Sequence, residues 1–79
     1  MKYIMFEDFS GTAIPVIFPN RIDHEEMREQ MPYTKVLSAG YISYGPEGFR
    51  CHGSSKSLEA QAGPGDADLI AAAFANEES

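Results

Sequence analysis

The chain has 79 residues, one cysteine and a formal charge of −6, from twelve acidic against six basic residues. A chain of this size buries only about 60% of the surface its unfolded form exposes, so one core and a single domain, residues 1–79, are expected. One cysteine closes no internal disulfide, and the acid excess disfavours direct nucleic-acid binding, because Lys2, Arg21, Arg28, Lys35, Arg50 and Lys56 are scattered rather than striped.

Lys2 to Phe6 is rich in β-formers, Glu7 to Thr12 supplies turn residues, and Ala13 to Phe18 is apolar and β-branched again, which reads as a hairpin. Pro15 has no N–H to give a ladder, so its strand belongs at a sheet edge. Asp23 and Glu26 have the spacing of a capping box, and Ile22 and Met27 that of a hydrophobic staple, so a helix should start at Asp23. Pro32 disfavours helical geometry at Met31 and ends that helix after about two turns. Met27 and Met31 then face the sheet, while Glu25, Arg28 and Glu29 face solvent.

Thr34 to Tyr44 and Phe49 to Lys56 form a second hairpin around Gly45-Pro46-Glu47-Gly48. With all four turn residues in the loop, Tyr44 faces Phe49, Ile42 faces Cys51 and Gly40 faces Gly53, making one apolar side. Ser43, Arg50, Tyr41, His52, Ala39 and Ser54 make the other. A three-residue loop with Gly48 in the left-handed region suits Pro-Glu-Gly, but it sets Arg50 and His52 beside Ile42 and Tyr44. A one-residue slip moves a whole strand's pattern to the wrong face, so the clean segregation selects the first register.

Ser57 to Ala62 reads as a connector of small and polar residues. A second helix begins near Gly63-Pro64-Gly65-Asp66, with Asp66 and Asp68 against the positive end of its dipole. Leu69, Ile70, Ala73 and Phe74 form its buried stripe, and Asn76 to Ser79 should fray. The order predicts an α+β fold: a four-stranded, mainly antiparallel sheet, β-β-α-β-β-α, with two helices packed on one face.

Chemistry-bearing residues gather in the second hairpin, yet they spell no catalytic motif. Cys51, His52 and His24 suit zinc or copper by residue type. Neighbours on a strand point to opposite faces, however, so no metal and no cofactor is expected. A nucleophile reading uses Ser54 or Ser55 with His52; Ser54 and His52 lie about 7 Å apart on one strand face, too far for a hydrogen bond without a bend at Gly53. Cys51 with His24 is the other pairing of that kind. Gly53-Ser54-Ser55-Lys56-Ser57 lacks the glycine spacing of a phosphate loop. His24, beside Glu25 and Glu26, reads as a surface residue.

The apolar count points elsewhere. With Ile4, Phe6, Ile14, Val16 and Phe18 on a helix-covered face, Tyr3, Met5, Ile17, Leu37 and Tyr41 fall on the opposite one. Two helices on one side leave that face open, and tyrosine and methionine beside Arg50 and His52 have the make-up of an interface. The expected interaction surface is Tyr41, Arg50, His52, Ser54, Leu37 and Tyr3, and the expected partner a second copy or another protein.

Ile17-Phe18-Pro19, His24, Ser38-Ala39-Gly40-Tyr41 and Cys51-His52-Gly53-Ser54-Ser55-Lys56-Ser57-Leu58, followed by Asp66 before a closing helix, resemble small uncharacterised proteins encoded by bacteriophages and prophages. The resemblance implies a phage or bacterial source and a free-standing domain, and transfers no catalytic residue. No apolar run approaches the roughly 20 residues that span a bilayer, and no signal-peptide pattern opens the chain, so a cytoplasmic protein is expected. The leading functional expectation is a non-enzymatic accessory or protein-interaction domain that self-associates through its sheet. One alternative is a small hydrolase or transferase centred on His52 and Ser54 or Cys51. The other is an acidic inhibitor of a host nucleic-acid-binding protein, using Glu25, Glu29, Asp66 and Asp68.

Overall fold

Tyr3, Ile4, Met5 and Phe6 are all buried, and this unbroken run organises the fold. A strand whose successive side chains are all covered has something packed on both faces. The computed structural model describes residues 1–33 and 35–78, so the predicted strand start at Thr34 and the end of the tail at Ser79 lie outside the described residues. The elements are β1 (Lys2–Glu7), β2 (Ala13–Phe18), α1 (His24–Gln30), β3 (Lys35–Gly45), β4 (Gly48–His52), β5 (Ser54–Ser55), β6 (Ala60–Gln61) and α2 (Asp66–Glu78). The main sheet is antiparallel in the order β2-β1-β3-β4, and β5 and β6 form a separate small hairpin. The α+β class and the order of the principal elements agree with the sequence reading. No described helix is long and apolar enough to cross a membrane.

The two helices do not share a face. Ile4, Phe6, Phe18 and Ala39 form one core cluster with Ile22, Met27 and Met31 packed against it, which is the α1 side. Tyr3, Met5 and Ile42 form the other with Ile70 of α2, and Ile17, Phe49 and Cys51 border it. The expectation of both helices on one side is thereby corrected: apolar side chains on both faces of β1 require a cover on each. The rear face inferred to be open is covered by α2 over Tyr3, Met5 and Ile42.

The second hairpin has the register that side-chain segregation selected, with Tyr44 opposite Phe49 and Ile42 opposite Cys51. Pairing continues to Gly45 and Gly48, so the loop itself is only Pro46 and Glu47. β2 is an edge strand, as Pro15 requires. Between β1 and β3 the register shifts: Met5 pairs with Ser38 and Phe6 with Val36. Leu37 is the extra residue of this bulge and stands 45% exposed.

Two local readings change. Asp23 is the N-cap of α1, but its side chain makes no capping hydrogen bond. Its carboxylate lies 3.8 Å from the Lys2 ammonium instead, so the capping box is not formed. The strand predicted to run to Lys56 stops at His52, because Gly53 has φ +78 and turns the chain into β5. A short β6 then appears within the predicted connector, and α2 continues through Asn76, Glu77 and Glu78, where fraying was expected.

Candidate functional site

Asp66 holds α2 to the sheet. Its carboxylate is buried, and one oxygen, Oδ2, accepts hydrogen bonds from the Tyr3 hydroxyl, from Ser38 Oγ at 2.7 Å and from the Gly63 backbone N–H at 2.9 Å. Burial, then the hydrogen bond and charge of Asp66, hold the Tyr3 phenol far above the usual tyrosine value. Cys51 is half-buried beside Tyr3; burial pushes its thiol up, the Tyr3 hydrogen bond opposes this, and the Asp66 charge adds to it. This cluster is an internal anchor. Asp66 is therefore not available to an acidic outer surface, contrary to its place in the inhibitor reading.

The opposite face carries a polar cleft of about 410 Å³. One wall is the start of α1, with Asp23, His24 and Glu25; the other is the segment Ser54 to Ser57, and Lys2 and Tyr41 lie between them. His24 is not a surface residue. It is 5% exposed, its Nε2 lies 2.9 Å from the Gly40 carbonyl oxygen, and its ring meets Phe18 and Tyr41 edge-on. A carbonyl only accepts, so Nε2 carries the hydrogen, and Nδ1 is the ring nitrogen left without a protein partner among the described residues. Lys2, 12% exposed at its side chain, donates to the Ile22 carbonyl at 3.0 Å and neighbours Asp23.

Of the predicted surface residues, Tyr41 and Ser54 line this cleft, and exposed His52 stacks on Tyr41 with ring centroids 6.0 Å apart. Arg50 is exposed further along β4, 3.6 Å from Glu47. Leu37 sits apart on the bulge. Tyr3 has no exposed surface and lies under α2, so it leaves the predicted interaction surface. Cys51 borders the α2-side core while its neighbour His52 stacks on Tyr41 across the sheet, as strand alternation demands. Among the described residues no group of three or more His, Cys, Asp or Glu side chains is placed to hold a metal ion.

An apolar strip runs on the α2 side. Met1, Ile17, Ile42, Tyr44, Phe49 and Phe74 border a groove of about 400 Å³, which Ile17 and Phe74 share with a second hollow of about 320 Å³ toward Ile14 and Pro15. Tyr44 lies 4.9 Å from Phe49 between ring centroids, and Phe49 stacks on Phe74 at 5.4 Å. Tyr44 is 76% exposed, Met1 56% and Phe74 41%. Alternation on β3 and β4 signalled Tyr44 and Phe49 for this side. Met1 and the incomplete cover given by α2 had no sequence signal, because both depend on where the chain ends meet the sheet.

No protein-family model, curated protein or solved structure matches the chain.

Proposed function

We propose that the chain is a non-enzymatic interaction domain that self-associates through the β4 edge of its sheet and the apolar strip beside it. The observation that carries this reading is the run of Tyr44, Phe49 and Phe74 next to an edge strand, with Tyr44 and Phe74 left substantially exposed on either side of half-buried Phe49. Tyrosine, phenylalanine and methionine are enriched where proteins dock, and apolar rings left at a surface otherwise cost hydration free energy. The occupant is a second copy of this chain. β4 has only β3 as a neighbour, and a twofold axis perpendicular to the sheet pairs two such strands antiparallel. That operation also brings both aromatic strips together on one side of the joined sheet. A cytoplasmic accessory role in a phage or prophage setting accompanies this proposal and rests on the sequence resemblance.

The enzyme alternative finds little support in the hairpin: Cys51 and His52 lie on opposite faces, and Ser54 lies beyond the Gly53 bend. Sedimentation velocity across about 1 to 200 μM tests the proposal. A dimer is expected, weakened about tenfold or more by Tyr44→Asp, a change at an exposed position that the fold tolerates. A monomer throughout that range overturns it.

A further inference from the structure

The polar cleft between α1 and the Ser54 to Ser57 segment has an unusual floor. Among the described residues, every buried side-chain nitrogen or oxygen closed off from solvent has a hydrogen-bond partner. His24 is 5% exposed and is bonded through Nε2 alone. Its Nδ1 therefore meets solvent, and the cleft is the space that His24 lines. A nearly buried imidazole, fixed through Nε2 by the Gly40 carbonyl, thus has its second ring nitrogen without a protein partner among the described residues, at the floor of the cleft.

The charges around it separate by wall. Asp23 is balanced by Lys2 at 3.8 Å. Glu25, on the α1 wall, and Lys56, on the other, are in no ion pair among the described residues. The α1 wall is left with one unbalanced carboxylate and His24 Nδ1. The facing wall is left with one unbalanced ammonium and the hydroxyls of Ser54 and Ser57, the latter 3.3 Å from Ser55 Oγ.

A simple oxyanion entering the cleft meets Lys56 favourably and Glu25 unfavourably. A simple amine meets the reverse. Only a molecule with both charges satisfies both walls and gives Nδ1 a donor.

We propose that this cleft binds a small amino-acid-like zwitterion, its ammonium donating to His24 Nδ1 and facing Glu25, and its carboxylate facing Lys56 and the serine hydroxyls. The volume of about 410 Å³ is that of a small-molecule site. The cleft lies on the opposite side of the sheet from the apolar strip, so occupancy and self-association are separately measurable.

The test is an NMR titration of the intact chain, following the His24 Nδ1 nitrogen resonance. The probes are glycine and straight-chain ω-amino acids of increasing length, with acetate, inorganic phosphate and methylammonium as single-charge controls. At least one zwitterion is expected to move Nδ1 and to bind about tenfold more tightly than every control. Glu25→Gln and Lys56→Gln, both at exposed positions, are each expected to weaken that binding about tenfold with the amide spectrum otherwise preserved. Three outcomes overturn the proposal: no zwitterion moving Nδ1 up to about 50 mM, a control binding equally well, or affinity unchanged in Lys56→Gln.

Discussion

The Tyr3 hydroxyl donates a hydrogen bond to the Asp66 carboxylate across 63 positions of sequence, tying the first strand to the first turn of the last helix. The same carboxylate oxygen serves Ser38 and the Gly63 N–H, so three donors from β1, β3 and the turn before α2 converge on it. α2 otherwise fixes itself to the sheet mainly through Ile70, which has no exposed surface, while Leu69 and Phe74 remain nearly half exposed.

Removing that acceptor should undo the arrangement more than deleting a single contact. Asp66→Ala leaves the Tyr3 hydroxyl, Ser38 hydroxyl and Gly63 N–H without their partner, and unmet buried donors each cost about 1–3 kcal/mol. A loss of about 3 kcal/mol or more in urea denaturation is expected, against about 1 kcal/mol for Ser38→Ala, which removes one donor and leaves two. Equal effects of the two substitutions would show that the carboxylate is not the hub.

The pH dependence follows from Tyr3. Its phenol is held far above the ordinary value by burial first and by Asp66 second. The unfolded chain releases that proton near pH ~10, whereas the native state keeps it. Above about pH 10 the native state therefore binds the extra proton, and stability falls as pH rises, by about 1.4 kcal/mol per unit for one group. Tyr3→Phe has no such proton. It should be less stable than the parent at pH 8, with the gap narrowing between about pH 10 and 11.5; a gap of constant size would contradict the assignment.

Cys51 gives a chemical readout of the same region. Its thiol is raised by burial, partly offset by the Tyr3 hydrogen bond. The thiolate is the reactive form, so alkylation by iodoacetamide at pH 8 should run about tenfold or more slower in the native chain than in urea. A native rate equal to the unfolded rate would place the thiol in open solvent.

How much of this was legible in the sequence depended on the range of the interaction. The register of β3 against β4 was readable because a slip would have mixed Arg50 and His52 with Ile42 and Tyr44, a conflict visible within a few residues. Pro15 marked its edge, and Ile22 and Met27 meet in one cluster as a staple. The burial of His24 was not readable: its neighbours Glu25 and Glu26 suggest solvent, while its partner Gly40 lies 16 positions away. Asp66 looked like a helix-dipole residue for the same reason, since Tyr3 and Ser38 are remote in sequence. The run Tyr3-Ile4-Met5-Phe6 did carry the sign of two-sided burial, which period-two alternation conceals. β5 and β6, two residues each, are too short to show any period.

The bend at Gly53 separates β4 from the wall of the polar cleft, and a single methyl group there should press directly on Tyr41. With φ +78, any side chain there is strained, and a Cβ would lie 2.9 Å from Cδ2 of Tyr41. Tyr41 has little room to yield, because His52 stacks on it and His24 meets its ring edge-on. Gly53→Ala should therefore cost about 1–3 kcal/mol in stability. It should also shift the His24 and His52 ring resonances through Tyr41, while leaving the Cys51 alkylation rate on the far face unchanged. Gly11→Ala is the matched control: Gly11 has φ +88 but nothing within 4 Å of its Cβ position. It should show the backbone cost of about 1 kcal/mol without disturbing either histidine, and identical spectra for the two variants would mean that Tyr41 does not press on Gly53.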